Sequence, residues 1–259
     1  MTEAEWLSCS EPHPMLEFLR GKVSDRKLWL FGCACCRKIW QFLTDERSRQ
    51  AVEVGERFAD GETTLMELAT ARAAAEAAHA EASATADNAM RAMNHGDFVY
   101  YANLRATGFA AGAAVECATH PALAATTSIV ENFIGTAATR CVSNLEAVWW
   151  GWDDPNAAAE QAAVERDARN ALCALIRDIF SKPFGPAPRA DPCWPAWNGG
   201  AILKLARTIY DERAFDRLPI LADALEEAGC SEPAILSHCR SGSEHVRGCW
   251  VIDLLLGRE

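Results

Sequence analysis

The chain has 259 residues, half of them hydrophobic and 24% charged, which excludes a disordered or fibrous protein and leaves ample length for a packed core. Its formal charge of −11, with the acidic excess lying mainly in residues 61–180, would repel phosphate backbones and disfavours general nucleic-acid binding. The most apolar run, Ala106 to Val115, is bounded by Arg105 and Glu116, well short of the roughly 20 residues a membrane span requires.

In chain order, Glu3 to Leu7 suits a short segment, followed by the turn residues Ser10, Pro12 and Pro14. Ser24 and Asp25 offer N-caps for Leu28–Leu43, LWLFGCACCRKIWQFL, which is apolar almost all round and so predicts a central buried helix. Thr44 and Asp45 open another helix, with Ala51, Val52, Val54 and Phe58 on its apolar face, and Asp60-Gly61 ends it. Thr64 with Glu67 forms a capping-box signature at the start of an alanine-rich stretch reaching Met93. Further long helices are expected from Asp97 to His120, from Pro121 to Trp150, and from Asp154-Pro155 to about Lys182. Gly108 and Gly112, four apart, predict close helix packing. Pro183 to Gly200 carries five prolines and must be irregular. Shorter helices follow over about 201–211, 216–228, from Ser231, and 246–256.

The expected architecture is therefore all-α: an antiparallel bundle of long Ala-rich helices over residues 1–182, a Pro/Gly/Trp-rich loop at 183–200, and a smaller helical C-terminal region at 201–259 packed on the bundle.

Three constellations are candidates for chemistry. Cys33 and Cys36 form a CxxC, a spacing that suits half of a zinc site. The C-terminal region offers His238-Cys239, and His245 with Cys249, as the other half. The metal set read from the sequence is Cys33, Cys36, His245 and Cys249, set against buried, reduced thiols as the plain alternative. Eleven cysteines behind an acidic start, MTEAEWLSC, with no export-signal pattern predict a cytoplasmic protein with reduced thiols. The second constellation is tryptophan. Trp149, Trp150 and Trp152 in WWGWDDP, and Trp194 and Trp197 in CWPAW, are partner-binding anchors if exposed and core if not. Third, Asp253 sits within the apolar tail WVIDLLL and needs a cationic partner, for which Arg247, Arg37 and Lys38 are candidates. No phosphate loop, nucleophile elbow or HExxH occurs.

The segments MTEAEWL, PMLEFLRGKVSDRKLWLF, RAFDRLPILADALEEAG and HVRGCWVIDLLLG resemble an uncharacterised protein group abundant in planctomycete bacteria. The resemblance covers both ends of the chain and not its alanine-rich middle. It implies a bacterial, cytoplasmic, soluble protein and carries over no functional residue. The expected function is a non-enzymatic helical module that scaffolds or binds another protein. One alternative is a zinc-binding helical protein; a second is an enzyme with a cysteine or carboxylate site between bundle and C-terminal region.

Overall fold

The computed structural model describes residues 1–92, 98–118, 123–138, 155–181, 183–184 and 188–258. Among the described residues the protein is all-α, with no strand. The helices are α1 (Glu3–Ser8), α2 (Pro12–Leu19), α3 (Asp25–Lys38), α4 (Glu46–Ala59), α5 (Leu65–Ala92), α6 (Phe98–Cys117), α7 (Leu123–Ala138), α8 (Pro155–Phe180), α9 (Ala201–Glu212), α10 (Leu218–Glu227), α11 (Pro233–Cys239) and α12 (Trp250–Leu256). None is long and apolar enough to cross a membrane.

The caps anticipated from sequence are in place. Ser24 Oγ accepts from the Lys27 N–H at the start of α3, and Asp45 Oδ1 from the Arg47 N–H at the start of α4. Thr64 and Glu67 exchange the reciprocal bonds of a capping box before α5. Each satisfies donors that the first helical turn leaves orphaned.

Helix α3 is central: it packs against α4, α6, α7 and α8. Its Phe31, Cys33, Cys35 and Cys36 are buried among Leu172, Leu175, Ile176 and Ile179 of α8, alanines of α6, and Ile129 and Phe133 of α7. It ends at Lys38, earlier than the apolar run suggests. Ile39 leaves helical geometry and Trp40–Phe42 forms a single 3₁₀ turn. Arg37 and Lys38 thus occupy the last turn, where cations suit the helix dipole. The close packing expected at Gly112 is present: a Cβ there would lie 3.3 Å from the His79 ring and 3.4 Å from the Asn132 amide.

A second core joins α9 to α12 through Ile202, Ile209, Tyr210, Leu221, Leu225, Ile235, Val251 and Ile252. Trp194 is buried in this core, and Trp197 is half-buried against it. Trp194 therefore spends its apolar surface on packing, which is the core alternative for that residue, whereas Trp197 keeps part of its ring at the surface. Trp149, Trp150 and Trp152 lie outside the described residues.

A buried ionic hub joins the two cores. Asp253 pairs with Arg26 at 2.8 Å and Lys27 at 2.5 Å, both in the first turn of α3, and not with Arg247, Arg37 or Lys38. The tail helix docks on the beginning of α3 rather than its end, where Arg37 and Lys38 lie, and Arg247 rests over the Tyr210 ring instead. Arg26 also donates to Asp60 at 2.9 Å, and the Tyr210 hydroxyl donates to the same carboxylate at 2.7 Å. Burial works against the charge of Arg26, but Asp253, Tyr210 and Asp60 outweigh it and hold its pKa above the ordinary value.

Candidate metal centre

Where the first core meets the second, Asp178, His238, His245 and Cys249 present one ligand atom each, all within 4.8 Å of one another. Asp178 lies near the end of α8, and His238 near the end of α11. His245 is in the loop that follows, and Cys249 is the N-cap of α12. Pro233 starts α11 at its first turn, where its missing N–H costs nothing. Gly248, at φ +92°, turns the chain into α12; a Cβ there would meet Leu30 of α3 at 3.1 Å. Its carbonyl accepts from Lys27 Nζ at 2.7 Å, which anchors the turn beside the site.

Asp178, His245 and Cys249 are buried and His238 nearly so. His245 Nδ1 stands 2.6 Å from Asp178 Oδ1, and His238 Nε2 stands 3.2 Å from that same oxygen. Cys249 Sγ is 3.2 Å from His238 Nε2. The other carboxylate oxygen, Oδ2, accepts from the Val246 N–H at 2.9 Å. Among the described residues Asp178 has no lysine or arginine partner: its ion-pair partners are the two imidazoles. Burial pushes its carboxyl up, but hydrogen bonds and charge from His238 and His245 outweigh that and hold it below the ordinary value. Burial pushes the Cys249 thiol well up.

The hydrogen-bond partners bear on where the protons lie. The Ser241 hydroxyl has both the His238 carbonyl, at 2.8 Å, and His245 Nε2, at 3.3 Å, within reach. A proton on His245 Nδ1 makes the 2.6 Å contact a charge-assisted hydrogen bond to Asp178 Oδ1. His238 differs: the Trp250 indole donates to its Nδ1 at 3.1 Å, which leaves the proton on Nε2.

The donor set of one carboxylate, two imidazoles and one thiol suits zinc, whose tetrahedral sites place ligands about 3.3–3.8 Å apart. The two 3.2 Å spacings lie near that range. The 2.6 Å pair is closed around a proton, which a metal ion would displace while widening it by about 1 Å. Ligation by His238 Nε2 would also require the Trp250 N–H to leave Nδ1, because a ligating imidazole carries its proton on the other nitrogen.

The sequence-derived set is therefore half assembled. His245 and Cys249 come together, but no atom of Cys33 or Cys36 belongs to this cluster. Cys36 Sγ lies 3.2 Å from Cys117 Sγ, and Cys33 Sγ faces the Val52 carbonyl at 3.7 Å. These thiols point into the α3–α4–α6 interior, so that part of the set is corrected to buried, reduced core. Their places are taken by His238 and Asp178. His245 and Cys249 do not share a helical face, since α12 begins only at Trp250; a turn converges them. Asp178 was legible only as a carboxylate within the apolar run Leu172, Leu175, Ile176 and Ile179, the same kind of signal that marks Asp253.

In comparisons with known proteins, no family model, no curated protein and no solved structure matches this chain.

Proposed function

We propose that the protein is a non-enzymatic helical scaffold whose two cores are held together by one zinc ion bound by Asp178, His238, His245 and Cys249. The observation that carries this reading is a buried carboxylate whose ion-pair partners are imidazoles, with a thiol in the same cluster. A divalent cation supplies the charge that such a set lacks, and it would make the Cys249 thiolate stable where burial alone opposes it. The ion would tie α8 of the bundle to α11 and α12, which is the work of a structural site with four protein ligands and no open position.

The same atoms contain the parts of a cysteine–histidine–aspartate nucleophile, and the geometry favours that less. Cys249 is fully buried, and the His238 nitrogen facing it already carries a proton, so it is not placed to take one from the thiol.

The test is elemental analysis of protein purified without chelator, followed by cobalt replacement. One equivalent of zinc is expected, together with a thiolate-to-cobalt absorption band that Cys249→Ser removes. Removing zinc is also expected to change Trp250 fluorescence as the indole returns to His238. Less than about 0.2 equivalents of metal, with no cobalt band on reconstitution, would overturn the proposal.

A further inference from the structure

A cavity of about 610 Å³ opens between α3, α4 and the C-terminal region, within the range of small-molecule sites. Three guanidinium groups, Arg37, Arg213 and Arg247, line it. The buried anion among them is Glu56, and it is fully engaged: Arg37 binds it through two bonds at 3.1 and 2.8 Å, and Arg213 binds it as well. The other acidic groups at the cavity sit at its exposed rim. Glu244 is paired with Lys38, Asp216 is exposed, and Glu53 reaches Arg37 only at 3.8 Å.

Arg247 is the surplus charge. Its Nε is buried with no hydrogen-bond partner, and its guanidinium rests 5.0 Å over the Tyr210 ring, which satisfies none of its donors. Arg213 reports the same imbalance. Burial, with repulsion from Arg37 and Arg247, outweighs Glu56 and lowers its pKa from the ordinary value. The backbone of Arg213 is also left-handed, at φ +55°, a conformation that disfavours a non-glycine residue. Opposite the cations the wall is apolar, with Leu30, Ala34 and Phe215.

We infer that this cavity binds a small molecule carrying an oxyanion, phosphate or carboxylate, on an apolar body, with Arg247 and Arg213 holding the oxyanion and Leu30, Ala34 and Phe215 holding the body. Planar, forked guanidinium donors match both oxyanions. His245 also lines the cavity, but the inference does not rest on the zinc reading, since the groups named to hold the ligand are not proposed metal ligands.

The experiment is isothermal titration of the full chain at constant ionic strength with three probes: inorganic phosphate, phenyl phosphate and benzoate. Phenyl phosphate or benzoate is expected to saturate one site per chain, and the tighter of the two identifies the oxyanion. Inorganic phosphate is expected to bind more weakly than phenyl phosphate, because it leaves the apolar wall uncovered. Arg247→Gln should weaken the better probe about tenfold, while Arg207→Gln, an exposed control, leaves it unchanged. Gly242→Asp provides a variant that does not touch the core, because a side chain there enters open space at the mouth. It should weaken binding severalfold by charge repulsion. Absence of saturable binding by all three probes, or equal affinity in wild type, Arg247→Gln and Gly242→Asp, would overturn the inference.

Discussion

Two buried carboxylates bind the halves of this molecule together, and they are neutralised in opposite ways. Asp253 is surrounded by permanent cations, Arg26 and Lys27, within a hub that also holds Asp60 and Tyr210. Asp178, at a comparable depth, faces two imidazoles and a thiol. A carboxylate held by arginine and lysine keeps its charge balance across a wide pH range and leaves no position for a metal ion. One held by imidazoles can exchange protons for a metal, because an imidazole nitrogen that gives up its proton becomes a ligand. The contrast separates a joint made only for cohesion from one with chemical capacity.

The largest expected effect comes from breaking the hub. Arg26→Met leaves Asp253 and Asp60 buried with one counter-charge fewer each, and urea denaturation should show a loss of about 3–5 kcal/mol. Chelation should act on the other joint alone. Removing zinc is expected to lower wild-type stability by about 3–4 kcal/mol if the ion is present at 100 to 1,000 times its dissociation constant. Asp178→Asn should abolish that response, and Arg26→Met should retain it. An equal chelator response in Asp178→Asn and wild type would erase the contrast.

Gly248 lies between the two joints, its carbonyl accepting from the Lys27 ammonium, and precedes Cys249. Gly248→Ala combines a left-handed backbone with a 3.1 Å approach to Leu30, and a loss of about 1–3 kcal/mol is expected in the same urea assay. The smallest effect concerns the thiols, which sort by surroundings as the carboxylates do. Burial pushes Cys173 up to about 12, and Cys36 and Cys117 are fully enclosed, so none should react with Ellman's reagent at pH 8 before denaturation. Cys193 is exposed; Cys193→Ser should remove one equivalent of rapid reaction with no measurable change in stability.

The fold was largely legible because helices are specified locally. Ser24, Asp45 and the Thr64–Glu67 box are decisions made within four residues, and alanine-rich runs carry their own propensity. The site was legible only in part. His245 and Cys249 stand close in sequence among residues that already look unusual. Asp178 reaches them from 67 residues away, and no local rule reports that the turn at Gly248 aims both at the end of α8. The CxxC of α3 misled for a related reason. Spacing on a helix says that two thiols share a face, not what that face meets, and here it meets Cys117 and the Val52 carbonyl. The partners of Asp253 were likewise set by which end of α3 the tail docks against, a tertiary fact.

The Arg26–Asp253 contact closes a loop across 227 residues of chain. During synthesis, α3 and its bundle neighbours emerge long before residues 249–258, so Arg26 and Lys27 must wait in solvent beside Asp60 until the tail arrives. Long-range closure of this kind is slow relative to helix formation, and the nascent bundle presents an unfilled, cation-lined seat meanwhile. A ribosome-stalled chain truncated before Trp250 should therefore carry a folded α3–α4 pair that is open to capture by other acidic segments, and α12 acts as the latch that ends this exposure.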